Sequence, residues 1–577
     1  MLSPRLRRHS LRSVVAVLAA LALTACAATG AGTAASTRSA EHGLVSAADP
    51  RAAEAGAEIL REGGSATDAA IATMLALNVV EPQSSGIGGG GFYVWGDANG
   101  TVETLDGRET APAAAGPDWF LDEAGKPLPF MTAVMSGRSV GVPGNVAIAA
   151  KAHERHGKLA WAKLFEPAIR LARNGWTLSE RGHEFLDNAR NRGASHPAGK
   201  ALFYDASGEP VPVGTVIRNE ALARTFERIA RDGPDAFYKG ANAEALASAV
   251  WAETPGARGM VAGDLAAYSA RERPAACGAY REYKICGMGP PSSGATTVYA
   301  ILKQLERFDL GAMGPNSATF WHVFADSQRL AYADRELYLA DPDFVQVPVA
   351  GLTNPDYLAA RGELIDPQHA LASVTAGTPP GPVQARADGD EPEEHGTSHF
   401  VVIDDDGNAV SYTSTIEGSF GSGIVIGGYF LNNELTDFSF TPAANGKPVA
   451  NRVEGGKRPR SSMAPTLVYG PDGKLLLAVG AAGGSTIPAQ VARALIGMLD
   501  FHLPVTQAVA LPVLFSPGDT VQVEQGSNLE ALIPQLQAMG HKTAARRMPL
   551  KTNAAERTAA GWVGAADPRS EGGVARE

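Results

Sequence analysis

Residues 397–421 read TSHFVVIDDDGNAVSYTSTIEGSFG and directly follow residues 375–396, TAGTPPGPVQARADGDEPEEHG. The upstream stretch is rich in Pro, Gly and acid and has no hydrophobic period, which is the composition of an exposed segment. The downstream stretch predicts a β-hairpin: HFVVI and NAVSYTST are apolar and β-branched runs joined at the turn-forming DDDGN. An exposed segment therefore delivers a threonine to the start of a core strand. A linker between two domains is the other reading of 375–396. If the chain is cut before Thr397, one residue carries both a hydroxyl nucleophile and a free α-amine able to act as its base. Such an amine titrates at about 7.7–8.0, so it accepts a proton near neutrality and needs no histidine.

Working outward, Asp49-Pro50 marks a helix start and Gly63-Gly64 its end. A second, Ala-rich helix is expected over 67–80. The run GIGGGGF at 86–92 contains a GxGxxG pattern, but a dinucleotide site needs a strand before it and a helix after it. Here a helix precedes and the strand-like FYVWG follows, which excludes nucleotide binding. Alternating stretches such as TVETLDGR, PTLVYG and KLLLAVG, separated by Gly and Asp turns, predict antiparallel sheets. Helical periods are clear over 145–156, 164–174, 220–232, 243–251 and 317–338, so helical layers over antiparallel sheet are expected. Metal sites fail on residue type. His395 and His399 have the spacing of a zinc pair, but Gly396 stands where the glutamate belongs. Asp404, Asp406 and Asn408 begin like a calcium loop, yet Ala409 replaces its glycine and Thr415 its closing glutamate. No GxSxG elbow occurs, so a hydrolase built on that serine lacks its nucleophile.

The 577 residues, 45% hydrophobic and 19% charged, describe a globular chain long enough for several domains or one large sandwich. A net charge of −11 disfavours nucleic acid as a partner. It leaves room for a small anion held by one or two placed cations. The N-terminus reads as an export signal: Arg5, Arg7, Arg8 and Arg12 precede an apolar run over 14–23, too short for the roughly 20 residues of a membrane span. Leu23-Thr24-Ala25-Cys26 resembles a lipoprotein box, which makes 1–25 a signal peptide, Cys26 the lipidated mature terminus and 26–41 a flexible tether in the periplasm or cell envelope. An ordinary signal peptide with a chance cysteine is the alternative. Cys277 and Cys286 lie symmetrically about a turn at Arg281-Glu282. An even pair in an oxidising compartment favours a disulfide, and two buried thiols are the alternative.

The stretch from Thr397 to Gly421 resembles the start of the small subunit in the gamma-glutamyltranspeptidase family. Further similar segments run in order along the chain: EILREGGSATDAA, NVVEPQSSGIGGGGF, DGRETAP, GVPGN, PPSSG, YADRELYLADPDF, LNNELTDFS, GKRPRSSMAPT, GAAGGS and GAADPRSEGG. They span about residues 42–573. Val401 departs from the pattern, which usually has a small hydroxyl residue there.

The resemblance implies the four-layer αββα sandwich of N-terminal nucleophile hydrolases, an α/β fold with antiparallel sheets. It implies a precursor that cuts itself between Gly396 and Thr397 into a large subunit, 42–396 after the tether, and a small subunit, 397–577. Thr397 matches the nucleophile and Thr415 the threonine that orients it. Gly483 and Gly484 match the oxyanion hole. Arg108 matches the arginine for the donor α-carboxylate, Ser461 and Ser462 complete that site, and Glu417, Glu434 and Asp437 match positions holding the α-ammonium. No cofactor or metal is implied. The partners are a gamma-glutamyl donor such as glutathione and a water, amine or peptide acceptor. Retention of Asp437 favours an amino-acid donor over the glutaryl group of acylase relatives. A related N-terminal-threonine amidase or acylase cleaving other amides (glutaryl beta-lactams, poly-gamma-glutamate) and a binding scaffold without turnover are the alternatives. Residues 438–456, FSFTPAANGKPVANRVEGG, contain no Tyr or Trp and read as a short open loop that leaves the acyl-enzyme accessible to water.

Overall fold

The computed structural model describes residues 43–254, 256, 259–384, 386–389 and 396–577. The export signal, Cys26, the tether and His395 lie outside these residues. Thirteen strands build two antiparallel sheets: β1 (Leu44–Ala47), β2 (Gly90–Gly96), β3 (Val102–Gly107), β4 (Arg271–Arg273), β5 (Ala276–Tyr280), β6 (Tyr283–Gly287), β7 (Ser398–Ile403), β8 (Ala409–Thr415), β9 (Thr466–Tyr469), β10 (Leu475–Ala482), β11 (Lys551–Thr558), β12 (Gly561–Ala566) and β13 (Gly573–Arg576). The seven-stranded sheet runs β13-β1-β7-β8-β2-β3-β4 and the six-stranded sheet β12-β11-β10-β9-β6-β5.

β7 shows why the sheets stack. Phe400 and Val402 pack into one apolar core, and Val401 and Ile403 into the other. Alternate side chains point to opposite faces of a strand, so the continuous apolar run 400–403 of β7 belongs between two covered faces. Val401 thus contributes to the core shared with the second sheet, where burying such a side chain is worth about 1.5–3 kcal/mol. The first core also takes in α1 (Pro50–Arg61) and α2 (Ala66–Val80). The second takes in the six-stranded sheet with α3 (Gly294–Leu305), α4 (Ala318–Tyr338) and α5 (Ile487–Leu499). The order helix, sheet, sheet, helix is the expected αββα sandwich.

Local signals act as read. Asp49 caps α1 by accepting from the Arg51 N–H, with Pro50 at the first turn. The Asp404 carboxylate accepts from the N–H groups of Asp406, Asn408 and Ala66, and so closes the β7–β8 turn. Cys277 and Cys286 face one another across β5 and β6 and are joined as a disulfide. The 164–174 helix begins as a 3₁₀ turn, Trp161–Phe165, before Glu166–Asn174, and the 243–251 helix extends to Gly240–Ala252.

One loop reading is corrected. The 438–456 segment is anchored: Phe438, Phe440 and Val453 are buried with Trp119 and Phe120, and the Phe120 and Phe440 rings stack at 4.3 Å. A small hairpin, Ala443–Ala444 against Lys447–Pro448, forms its tip. Phenylalanines supply the anchoring that a reading confined to Tyr and Trp overlooked. The described part of the 375–396 segment is largely exposed, as expected, and is tied down where Tyr338 donates to the Gly377 carbonyl and Ala387 bridges to Val449. Among the described residues no helix is long and apolar enough to cross a membrane.

Candidate active site

Register brings the two threonines together. Ser398 pairs with Ser414 across β7 and β8, so Thr397 and Thr415 follow at the same end of the strand pair. The Thr397 hydroxyl lies 3.0 Å from that of Thr415. Thr415 Oγ1 also accepts the Glu417 N–H at 2.8 Å, which fixes the position of the oxygen facing the Thr397 hydroxyl. The Thr397 N–H donates to the Ser84 carbonyl at 3.0 Å. Thr397 has φ 93°, a left-handed conformation that is a genuine outlier for a β-branched residue. Strain of this kind costs about 1–3 kcal/mol. Glycine is the only residue type that fits before it, because a Cβ at Gly396 would sit 1.7 Å from the Glu417 carbonyl oxygen.

One cavity of about 270 Å³ is lined by Arg108, Thr397, Thr415, Glu417, Asp437, Ser461, Ser462 and Gly484. Glu434 and Gly483 stand directly behind that lining. The buried Arg108 guanidinium pairs with Glu434 through Nη1 and with Asp437 through Nη2. Its remaining donors reach the carbonyls of Pro459 and Arg460. Ser462 Oγ accepts from Arg335 at 2.8 Å. The Ser461 carbonyl accepts from the N–H of Ser293 at 2.8 Å and from its hydroxyl at 2.6 Å, so the PPSSG segment props up the two serines. Gly483 and Gly484 have φ 131° and 59° and turn the chain from β10 into α5. This places Gly484 at the positive end of a thirteen-residue helix, where backbone dipoles favour negative charge.

The cavity holds residues that motif reading left without a role. Tyr332, Arg335 and Glu336 enter from α4, and Asp388 and Gly389 from the segment preceding Thr397. Arg335 and Glu336 belong to the quoted YADRELYLADPDF, so that motif already carried the signal. Behind Thr397, Lys551 pairs with Glu81 at 3.0 Å. Glu81 stands in the quoted NVVEPQSSG, whereas Lys551 lies in a strand with no motif. Glu109, next to Arg108, is fully buried, and burial pushes its carboxyl up to about 8.

Two trios of potential metal ligands occur among the described residues. Glu417, Glu434 and Asp437 belong to the cavity, and Arg108 already engages the last two. In the other, His322 Nε2 meets the Asp366 carbonyl, His322 Nδ1 meets His541 Nε2 at 2.7 Å, and Asp326 accepts from Arg329 and the Leu371 N–H. Each of these side chains is thus engaged by protein partners.

The profile of the family described as Gamma-glutamyltranspeptidase matches residues 52–576. The chain is 38% identical over 549 residues to the glutathione hydrolase proenzyme of Escherichia coli (strain K12), covering 92% of this chain and 91% of that one. It is also 38% identical over 510 residues to the glutathione hydrolase proenzyme of Bacillus subtilis (strain 168), covering 87% and 85%. The crystal structure of cephalosporin acylase from Bacillus halodurans matches with a TM-score of 0.81 at 26% identity, over 93% of this chain and 96% of that chain. Similarity that runs through both sheets and every segment around the cavity leaves one assignment: the chain belongs to the gamma-glutamyltranspeptidase family.

Proposed function

We propose that the protein is a self-cleaving gamma-glutamyl hydrolase and transferase in which Thr397 is the nucleophile. The observation that carries this reading is the Thr397–Thr415 hydroxyl pair, 3.0 Å apart, in a cavity that also holds Arg108 and Asp437. In the precursor, Thr397 Oγ1 attacks the Gly396 carbonyl carbon, the C–N bond breaks in favour of an ester, and the α-amine is released. Water then hydrolyses the ester to the Gly396 carboxylate and restores the hydroxyl. The reaction also removes the peptide unit that defines φ at Thr397, so the backbone strain there favours cleavage.

In the two-chain enzyme the α-amine takes the Oγ1 proton as the hydroxyl attacks the side-chain amide carbonyl of the donor. The amine returns that proton to the leaving nitrogen, and an acyl-enzyme remains. The Gly483-Gly484 turn faces the developing oxyanion, where one such donor is worth about 3 kcal/mol. Arg108, Ser461 and Ser462 receive the α-carboxylate in the planar fork that suits it. Glu417, Glu434 and Asp437 receive the α-ammonium. Water or an amine then takes the acyl group. Export by the N-terminal signal, lipidation at Cys26 and a place in the cell envelope complete the proposal.

The test compares wild type with Thr397→Ala on a gamma-glutamyl anilide and a glutaryl anilide. The variant is expected to stay a single chain and release no anilide. Wild type is expected to prefer the gamma-glutamyl substrate. A preference for the glutaryl anilide would assign the protein to amidases that accept a donor without an α-amine.

A further inference from the structure

Against the backbone of Thr397 lies a charged group that the mechanism above does not use. Lys551 opens β11 opposite Ala482, the residue before the Gly483-Gly484 turn. It is buried and donates to the Thr397 carbonyl at 3.3 Å, to Ser84 Oγ at 3.1 Å and to both Glu81 carboxylate oxygens at 3.0 and 3.1 Å. Ser84 in turn accepts the Thr397 N–H through its carbonyl. Glu81 also accepts from the hydroxyl of Ser398, the next residue along, at 2.5 Å. Lys551 and Ser84 therefore grip the nucleophilic residue by its backbone, from the carbonyl and the nitrogen sides.

We propose that Lys551 is a positioning residue that keeps the freed α-amine of Thr397 in its neutral, proton-accepting form, with Glu81 as the opposing charge. The inference rests on Thr397 being the nucleophile. A neighbouring cation disfavours the charged form of an amine and an anion favours it. The same amine must start each turnover without its extra proton, and unperturbed it titrates at about 7.7–8.0. A cation fixed against the same residue lowers that midpoint and extends activity to lower pH. The charged groups acting on Lys551 are Glu81 at the end of α2, Asp49 at the cap of α1 and Arg181 from the helix Glu180–Asn188. Those lining the cavity around Thr397 are Glu417, Asp437, Arg108, Arg335, Glu336, Asp388 and Arg460. Burial pulls the Lys551 ammonium below its ordinary value, and Glu81 opposes that shift.

The experiment records kcat/KM against pH for the gamma-glutamyl anilide with Lys551→Gln, Lys551→Arg and Glu81→Gln, alongside Thr397→Ala. Lys551→Gln is expected to move the acid limb up by about one pH unit, a loss of activity near ten-fold at pH 6 that largely disappears at pH 9. Lys551→Arg is expected to restore the wild-type limb, and Glu81→Gln to move it down. A purely structural role would lower kcat at every pH with the limb in place, and that result in Lys551→Gln overturns the proposal. If Lys551→Gln does not fold, an unmoved limb in Glu81→Gln overturns it equally. Anilide release by Thr397→Ala would instead overturn the nucleophile itself, so the two failures are distinct.

Discussion

Arg108 meets two acids, so truncating it has two effects. Arg108→Ala removes the proposed α-carboxylate partner and also strands Glu434, which is fully buried. Breaking a buried pair by removing one partner costs about 3–5 kcal/mol, so a dead Arg108→Ala protein says little about binding. Arg108→Lys separates the effects, because it keeps the charge against Glu434 and loses the planar fork. We expect kcat/KM for the gamma-glutamyl anilide to fall by about 2–3 kcal/mol, the scale of a charge-assisted hydrogen bond, mostly through KM. Thermal stability should stay within a few degrees of wild type, and cleavage into two chains should persist, because the cut involves no glutamate. Calorimetry beside steady-state kinetics checks both. At Thr415, Val keeps the shape and removes the oxygen, so Thr415→Val should slow both self-cleavage and turnover, readable by denaturing gel over time and by anilide release. The threonines, Arg108 and the serines were legible in the sequence because each sits in a dense motif. Lys551 was not, since a lysine in KTNAAERT looks like any strand residue until the fold sets it against Thr397.

Two buried histidines contribute to the loss of stability on the acid side. His399 in β7 bonds Thr413, and burial holds it down to about 3. His541 follows the helix Ile533–Ala538, and burial holds it down to about 4. In the unfolded chain both titrate near 6.5. Below that pH the unfolded state binds protons that the folded state refuses, so stability falls as pH drops from about 6.5 through 4 to 3, and neither group contributes above 6.5. For each pH unit that separates the folded midpoint from the unfolded one, the loss amounts to about 1.4 kcal/mol. His541→Gln preserves a donor toward His322 and removes the titration, so it should flatten part of the decline in melting temperature between pH 6.5 and 4. Scanning calorimetry across that range measures it. Elements were legible where caps and turns mark their ends: Ser317 caps α4, which begins one residue after its expected start, and the DDDGN turn sets the β7–β8 hairpin, although both strands are buried. α5 and α3 were not read: all thirteen residues of α5 are buried, and Lys303 is the one partly exposed residue of α3.

Across the whole molecule, Asp388 and Gly389 contribute one wall of the cavity, while the anchored 438–456 segment sends its hairpin tip into solvent. The cavity-lining residues include none from that segment, so the acyl-enzyme should remain open to water. With a gamma-glutamyl anilide and excess glycylglycine at neutral pH, free glutamate is expected to outweigh gamma-glutamyl-glycylglycine, and chromatography of the products decides it. The sheets also record where the two chains would run after the cut at residue 396. In the seven-stranded sheet β1 from the first chain lies between β13 and β7 from the second, and β8 of the second pairs with β2 of the first. The six-stranded sheet joins β9 of the second chain to β6 of the first. Cutting one peptide bond therefore changes the kinetics of recovery far more than the architecture. The precursor refolds as a single reactant, at a rate indifferent to dilution. The processed enzyme, once opened, must bring two separate halves together and re-thread a strand of one between two strands of the other, a second-order search that aggregation outruns at low concentration. Processing thus makes unfolding a one-way event, and the working lifetime of the enzyme becomes a matter of how slowly it opens.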